Sequence, residues 1–134
     1  KNKYKIKNVC CLYPCVPLLK SSYLLKAYKM SKKTKSYVFP VIEYPSDIFR
    51  SLLRKKNGKT TSWAKDNFMK RSQDFKTMYY DAGQFYFAKK ETWLKNKNQH
   101  LNSKTFVISS HDAVDINSIN DWKITEWIYQ NKNK

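Results

Sequence analysis

The chain has 134 residues, of which 41% are hydrophobic and 16% aromatic, which is enough for one domain with a core and argues against disorder. Only two residues are glycine, which excludes a glycine-rich phosphate-binding loop of the Walker or Rossmann kind. The net charge is +17, but lysines spread along the chain supply most of it, and arginine, which reads bases through paired hydrogen bonds, is scarce. We therefore expect no dedicated nucleic-acid site, and no apolar run is long enough to span a membrane.

The first element is the apolar run "NVCCLYP" at residues 8–14, which predicts a buried strand that ends at the prolines. Cys10, Cys11 and Cys15 lie in and just after it. An odd number of clustered cysteines is a poor disulfide framework, and no further Cys or His accompanies them as zinc ligands. We expect reduced thiols buried in the core of a cytoplasmic protein.

A helix and a second strand come next. The stretch "SSYLLKAYKM" at residues 21–30 has the apolar spacing of one helical face, with Ser21 or Ser22 as the capping residue. The β-branched and aromatic stretch "SYVFPVIEYP" at residues 36–45 predicts a strand. Its internal Pro40 indicates an edge strand, a bulge or a bend.

The middle of the chain predicts a hairpin, a strand and a short helix. Asn57-Gly58 lies between two extended segments in "FRSLLRKKNGKTTSW", so residues 49–63 are predicted to be an inserted β-hairpin. "AGQFYFAKK" at residues 82–90 reads as a strand, and "ETWLKNK" at residues 91–97 as one or two helical turns.

The last part of the sequence predicts a strand followed by a helix. "KTFVISSHDAVDI" at residues 104–116 is either a strand pair or one interrupted strand, and "SINDWKITEWIYQNK" at residues 118–132 is a helix that Ser118 and Asp121 begin as a capping box. We expect this helix to pack on a sheet through Ile119, Trp122, Ile124, Trp127 and Ile128. Strands that alternate with helices predict an α/β sheet.

The sequence allows two interpretations of Asp115 and Asn117. If the late strand ends at Asp115, alternation places both side chains on one side, at the sheet edge where α/β proteins bind ligands, and the two oxygens could hold a divalent ion. Otherwise Asn117 or Ser118 caps the final helix, and Asp115 is a solvated turn residue. The spacing does not fit an EF-hand loop.

A second polar cluster is predicted in "KRSQDFKTMYYDAGQFYF" at residues 70–87. An arginine can clamp a carboxylate and acids or amides can bind hydroxyls, so a polyhydroxylated acid could be held by Arg71, Gln73, Asp74 and Asp81. The alternative is an ordinary surface loop that leads into a buried strand. His100 and His111 are read as surface histidines, since no nucleophile pattern accompanies them.

The stretches "RSQDFKTMYYDAGQFYFAKKETWL" and "AVDINSINDWKITEWIY" together resemble the carboxyl-terminal part of the CMP-nonulosonate synthetases, in the form typical of the pseudaminic acid branch. "VCCLYPCVPLL" is similar to the family's strand and the turn after it. The resemblance implies a nucleotide-diphospho-sugar-transferase-like sheet, usually dimeric, in which the hairpin at residues 49–63 reaches the partner subunit. It also implies that the chain is the carboxyl-terminal portion of one cytidylyltransferase domain, incomplete at its amino terminus.

The family's activity is the transfer of CMP from CTP to a nine-carbon keto-acid sugar, with release of pyrophosphate and with Mg²⁺ as the cofactor. Carried over to this sequence, the family's D-I-D metal motif makes Asp115 a catalytic metal ligand and places Asn117 where the second acid stands. The same resemblance makes Arg71, Gln73, Asp81 and Gln84 the expected substrate-binding residues.

The family's nucleotide-binding loop has no counterpart in the chain, so we expect this portion alone to be inactive. Two alternatives stay open. The neutral Asn117 and the missing loop are also expected of a non-catalytic remnant or pseudoenzyme, and the high positive charge is also expected of a basic phosphate- or nucleic-acid-binding module.

Overall fold

The computed structural model describes residues 5–64 and 70–132. The chain divides into two compact units, which are described separately below: one contains Lys1–Ile42 and Asp81–Lys134, and the other contains Glu43–Tyr80. The described residues form seven strands: β1 (Asn8–Leu12), β2 (Val38–Glu43), β3 (Leu52–Arg54), β4 (Thr60–Ser62), β5 (Tyr79–Asp81), β6 (Phe85–Lys89) and β7 (Lys104–Val107). Their helices are α1 (Ser21–Ser31), α2 (Lys90–Lys95) and α3 (Ile119–Asn131).

The main sheet is mixed. Its strand order is β1-β6-β2-β5, and β7 also pairs with β2. β1 runs antiparallel to β6 with Cys10 opposite Phe87, whereas β7 runs parallel to β2 with Phe106 opposite Pro40. Helices alternate with these strands along the chain, so the predicted α/β class is confirmed at that level.

The core lies on both faces of β2 because successive side chains of a strand point to opposite sides. On one face Val38 and Ile42 pack with Ala27 of α1 and with Phe85 and Phe106. The other face forms a second cluster, against which Trp93 of α2 packs: Tyr37, Phe39, Val41, Tyr86 and Ala88. The sheet is therefore covered by α1 on one side and by α2 on the other.

The first strand is formed as predicted, but its predicted burial is wrong. Every residue of β1 is exposed, and Cys10, Cys11 and Cys15 are free, exposed thiols instead of core residues. The reason is position: among the described residues β1 pairs only with β6, so it is an edge strand.

Pro40 and the start of α1 also differ from expectation. β2 is a central strand and Pro40 is fully buried, so the edge-strand interpretation is wrong. The carbonyl of Pro40 accepts the Ala82 N–H at 3.1 Å. Helix α1 is preceded by Lys20, whose side chain makes no capping bond, so neither Ser21 nor Ser22 is the N-cap.

The final helix begins as predicted, and its predicted packing is wrong. Thr125 is the buried residue of α3, and it lies near Pro17, Leu18 and Ile116. The apolar side chains that were expected to pack on a sheet are instead more than half exposed: Ile119, Trp122, Ile124 and Trp127. No helix in residues 5–64 or 70–132 is long and apolar enough to cross a membrane.

The second unit contains the predicted hairpin. Strands β3 and β4 pair antiparallel, with Leu53 opposite Thr61. The turn closes through the Lys55 N–H, which donates to the Lys59 carbonyl at 2.8 Å, and Gly58 has a φ of 86°, a conformation that favours glycine. Asn57-Gly58 therefore forms the turn that the sequence indicates.

Candidate active site

The corner that carries Asp115 and Asn117 is not the end of a strand. β7 ends at Val107, a short 3₁₀ turn follows at Ser110–Asp112, and residues 113–118 are irregular as far as α3. The "strand pair or interrupted strand" interpretation is therefore wrong beyond Val107. The 3₁₀ turn buries Asp112, and the backbone groups of residues 113–118 are not paired with β2.

The two side chains nevertheless lie together, as predicted. The Asn117 Nδ2 donates to Asp115 Oδ2 at 3.0 Å, and both residues are exposed. Asp115 has further lone pairs that face solvent, and the amide oxygen of Asn117 is a second oxygen donor. The corner thus presents one carboxylate and one amide to a ligand.

Helix capping uses neighbouring residues. Ser118 is the N-cap of α3, its hydroxyl accepts the Asp121 N–H, and Asp121 accepts the Ser118 N–H at 2.8 Å and the Asn117 N–H at 3.1 Å. The Ser118 hydroxyl and these backbone groups lower the pKa of Asp121. The cap therefore uses the main chain of Asn117 and leaves its side chain for Asp115.

Mg²⁺ fits this pair only with help from a substrate. The described parts of the chain contain no group of three or more His, Cys, Asp or Glu residues that could hold a metal by themselves. Mg²⁺ usually keeps several waters and takes one or two carboxylates together with substrate phosphates, so a sparse site is what it requires. The Asn117 amide lies 3.0 Å from Asp115 Oδ2, so both side chains are close enough to contribute an oxygen to one bound ion. Turning over the Asn117 amide brings its oxygen to that position.

Asp112 is a residue that the sequence did not single out. Its side chain is 5% exposed, with Lys20 Nζ at 2.6 Å and Tyr23 OH at 2.6 Å from Oδ2, and Lys132 Nζ at 3.4 Å from Oδ1. Burial alone would raise its pKa, but the hydrogen bonds from Lys20 and Tyr23 hold the pKa below its usual value. No local signal reveals this contact because Lys20 and Tyr23 lie 92 and 89 residues away.

Gln84 is hydrogen-bonded to the main chain of Asp112. It is 1% exposed, and its Nε2 donates to the main-chain carbonyl of Asp112. A side chain buried to this degree supports the wall of a site and does not reach a ligand in solvent. The predicted contact between Gln84 and substrate stays a prediction, and the position of its amide points to an indirect role.

Asp81 joins a different cluster. Its Oδ1 accepts the Gly83 N–H at 2.9 Å, while Oδ2 accepts the Tyr86 hydroxyl and lies 2.7 Å from His100 Nε2. Burial, followed by the contact with Asp81, raises the pKa of Tyr86. His100 is exposed, as expected of a surface histidine, but it is paired with a carboxylate, and the sequence did not indicate that pair. Asp81 therefore fixes the corner between β5 and β6.

Arg71 and Gln73 belong to the second unit and lie on one short turn at Ser72–Asp74, which the Asp74 N–H closes onto the Arg71 carbonyl at 3.0 Å. Arg71 is exposed. Gln73 lines a cleft of about 440 Å³, whose other walls include two aromatic rings and two charged side chains: Tyr44, Phe75, Asp47 and Lys76. Such a mixture of apolar faces and polar groups is typical of small-molecule sites.

Comparison with known proteins identifies relatives of the chain, although no family model matches it. It is 31% identical over 127 residues to the pseudaminic acid cytidylyltransferase of Campylobacter jejuni subsp. jejuni serotype O:2, with 92% of this chain and 54% of the relative covered. The enzyme of the same name from serotype O:23/36 is 30% identical, with the same coverage. A Helicobacter pylori protein is 33% identical over 86 residues, which are 63% of this chain and 16% of that protein.

The Helicobacter pylori protein is named pseudaminic acid cytidylyltransferase and UDP-2,4-diacetamido-2,4,6-trideoxy-beta-L-altropyranose hydrolase. The chain spans about half the length of the two Campylobacter relatives that it matches. All three relatives are cytidylyltransferases by name, and cytidylyltransferases are nucleotidyltransferases. This stretch of chain is homologous to the pseudaminic acid cytidylyltransferases, which confirms the family that its motifs indicate.

Proposed function

We propose that the intact protein is a cytidylyltransferase that activates a nonulosonic acid, pseudaminic acid in preference to sialic acid, with CTP. The observation that carries the proposal is the match over 92% of the chain to two enzymes of that name. The products are the CMP-sugar and pyrophosphate. The substrates, the metal and the nucleotide preference are inferences from the relatives.

In the reaction the anomeric hydroxyl oxygen of the sugar forms a bond to the α-phosphorus of CTP, and the bond from that phosphorus to pyrophosphate breaks. The hydroxyl proton is released, and negative charge builds up on the phosphoryl oxygens as the leaving group departs. Mg²⁺ held at Asp115 would screen the triphosphate and stabilise that charge. Asn117 supplies an oxygen but no charge, so the metal site carries one negative charge where the family motif carries two.

The sugar is proposed to be held by two residues of the second unit. Arg71 provides a guanidinium fork for the carboxylate of the acid, and Gln73 provides hydrogen bonds in a cleft with aromatic walls. The substrate contacts expected of Asp81 and Gln84 stay predictions. Asp81 accepts the Gly83 N–H in the turn before β6, and the Gln84 amide donates to the Asp112 carbonyl. The proposal also includes a nucleotide-diphospho-sugar-transferase-like fold and a cytoplasmic location.

The hairpin of β3 and β4 is proposed to contact a second subunit. Its apolar side chains are more than half exposed at Leu52, Leu53 and Trp63. Several large apolar side chains left exposed on one short hairpin are more usual at an interface than on a monomer surface. A homodimer of the intact protein is therefore the expected assembly.

A pseudoenzyme of the same family is the second candidate, and the observation that favours it is Asn117 at the second position of the metal pair. A basic module that binds phosphate through charge alone is less well supported. Its binding would fall steeply as salt increases from low to physiological concentration, since it depends on counterion release.

The test is to incubate the intact protein with CTP, Mg²⁺ and either pseudaminic acid or N-acetylneuraminic acid, and to measure pyrophosphate release and the mass of the sugar product. The proposal predicts a CMP-sugar, faster formation with pseudaminic acid, and no reaction with the other three nucleoside triphosphates. A faster reaction with N-acetylneuraminic acid would reassign the sugar. No product with any acid, at any Mg²⁺ concentration, would leave the pseudoenzyme as the better account.

A further inference from the structure

Asp112 is the one acid that is buried among the described residues of the first unit. Its carboxylate has three side chains within 3.4 Å, and they come from the segment before α1, from α1 itself and from the end of α3: Lys20, Tyr23 and Lys132. Its main-chain carbonyl accepts from the buried amide of Gln84, next to β6. Both the side chain and the backbone of this one residue are therefore fixed to distant parts of the fold.

The segment that follows, residues 113–118, is irregular and is held in place mainly at its two ends. Ala113 packs against the core, and the Ile116 N–H lies 3.4 Å from the Cys15 carbonyl, a weak contact. At the far end Ser118 and Asp121 form the capping box of α3. The two predicted metal ligands, Asp115 and Asn117, thus lie on a short irregular segment that is held firmly at both ends and weakly between them.

The segment is short. Asp112 lies beside Lys132, which follows α3, whereas Ser118 begins the same helix, so residues 113–118 run back along α3. Only two residues separate Asp112 from Asp115. We therefore expect a shift of the Asp112 backbone to move Asp115 as well.

Asp112 itself cannot serve as a metal ligand without breaking these contacts, because its oxygens already accept from Lys20, Tyr23 and Lys132. Two ammonium groups against one carboxylate also leave a net positive charge at this point, which repels a cation. Its influence on a metal must come through the chain that it anchors.

We propose that Asp112 is a positioning residue for the proposed metal corner: by fixing the start of residues 113–118 it keeps Asp115 and Asn117 side by side. The inference rests on the proposed function for the identity of the corner. Ligand sites tolerate displacements of only about 0.5 Å, and loss of a residue that orients metal ligands typically weakens metal binding about 10- to 100-fold.

The test measures binding of Mn²⁺, as a probe for Mg²⁺, through the relaxation of water protons in solutions of the intact protein. Asp115→Ala identifies which binding belongs to the corner. Asp112→Asn keeps the shape of the side chain and removes its charge, and Lys132→Met is a milder variant that leaves Lys20 and Tyr23 in place. Lys29→Met, which removes an exposed lysine from α1, is the matched control.

The expected result is a dissociation constant for Mn²⁺ that rises about tenfold in Asp112→Asn, rises less in Lys132→Met and does not change in Lys29→Met. Where turnover is measurable, saturating Mg²⁺ should restore kcat to within about twofold, and the KM for the sugar should stay constant, since only the metal corner is disturbed. A merely structural role would lower the melting temperature and leave the Mn²⁺ affinity unchanged.

The outcomes separate this inference from the proposed function. Unchanged Mn²⁺ affinity in a folded Asp112→Asn protein overturns the positioning role, as does Mn²⁺ binding that Asp115→Ala leaves intact. Mn²⁺ binding that depends on both Asp112 and Asp115, in a protein that forms no CMP-sugar, supports the positioning role and overturns the proposed function.

Discussion

Asp112 and Asp115 lie three residues apart in one segment, and their surroundings are opposite. Asp112 is buried and surrounded by two ammonium groups and a phenol, whereas Asp115 is exposed and has one amide beside it. A carboxylate whose lone pairs are all engaged by the protein contributes to structure. A carboxylate whose lone pairs face solvent is available to a cation. The contrast is what we expect if the first acid is an anchor and the second is the proposed metal ligand.

The same contrast explains why the sequence pattern singles out only one of them. Asp115 belongs to a short motif, so its neighbours along the chain disclose its role. Asp112 acquires its role from Lys20 and Tyr23, which the fold brings from the other end of the chain. Five substitutions test the division between the two acids, in decreasing order of expected effect.

The largest effect is expected from Asp115→Ala. Removing the one charged metal ligand should lower turnover of the intact enzyme about 1,000-fold, the scale seen when a single group that stabilises transition-state charge is lost. The unfolding free energy should change little, because the residue is exposed. Steady-state pyrophosphate release measures the rate, and Glu91→Ala, which removes an exposed acid from α2, is the control. Equal losses of turnover in both variants would show that Asp115 has no specific role in the reaction.

Lys20→Met should act on stability instead. It leaves the buried Asp112 with fewer partners and should cost about 2 kcal/mol, below the figure of about 3–5 kcal/mol for fully buried pairs, because the Lys20 side chain is 41% exposed. Urea unfolding at pH 7 measures the cost. Lys29→Met should cost almost nothing.

The Lys20 contact also sets a pH dependence. Despite the opposing effect of burial, the contacts with Lys20 and Tyr23 lower the pKa of folded Asp112 below the unfolded value near 3.8. Its contribution is therefore fully present above about pH 5 and is lost as pH falls through the lowered pKa. Unfolding free energies between pH 7 and pH 2 should decline less steeply in Asp112→Asn than in the wild type. Parallel curves would mean that folding does not change the pKa of Asp112.

Asn117→Asp is expected to strengthen the metal site. It restores a second negative charge beside Asp115, and the half-saturating concentration of Mg²⁺ should fall by about tenfold, the usual size of a coupling near 1.4 kcal/mol. A Mg²⁺ titration of turnover measures it, with Asn120→Asp on the exposed side of α3 as the control. If the half-saturating concentration of Mg²⁺ were the same in the two variants, Asn117 would not be a metal ligand.

The smallest effect is expected from Ser118→Ala, which removes the hydroxyl that caps α3 and should lower the unfolding free energy by about 1 kcal/mol. Metal affinity should fall slightly as the far end of residues 113–118 loosens. Chemical denaturation followed by circular dichroism measures the change, and Ser118→Asp, which retains a capping oxygen, should recover most of it.

Local patterns predicted the elements whose signals are themselves local. The hairpin at Asn57-Gly58, the strand at Phe85–Lys89 and the capping box at Ser118 form from residues close in sequence, and each is found where expected. The burial of β1 and the packing of α3 were predicted wrongly. Burial depends on what lies against an element, and neither apolar content nor helical spacing contains that information.

The same distinction between local and distant contacts applies to the candidate site. The side chains of Asp115 and Asn117 meet, but not for the predicted reason, because their segment is irregular and strand alternation does not apply. Asp112 with Lys20, and Asp81 with His100, are contacts between segments that are distant along the chain, so inspection of single motifs could not find them.

The measurement that tests the central claim most directly is electron paramagnetic resonance of Mn²⁺ titrated into the intact protein and into its Asp115→Ala variant, with and without CTP. If the corner is the metal site of a cytidylyltransferase, the wild type binds Mn²⁺, CTP tightens that binding, and Asp115→Ala abolishes both effects. Equal Mn²⁺ binding by the two proteins in the presence of CTP would contradict the assignment of Asp115 as the metal ligand.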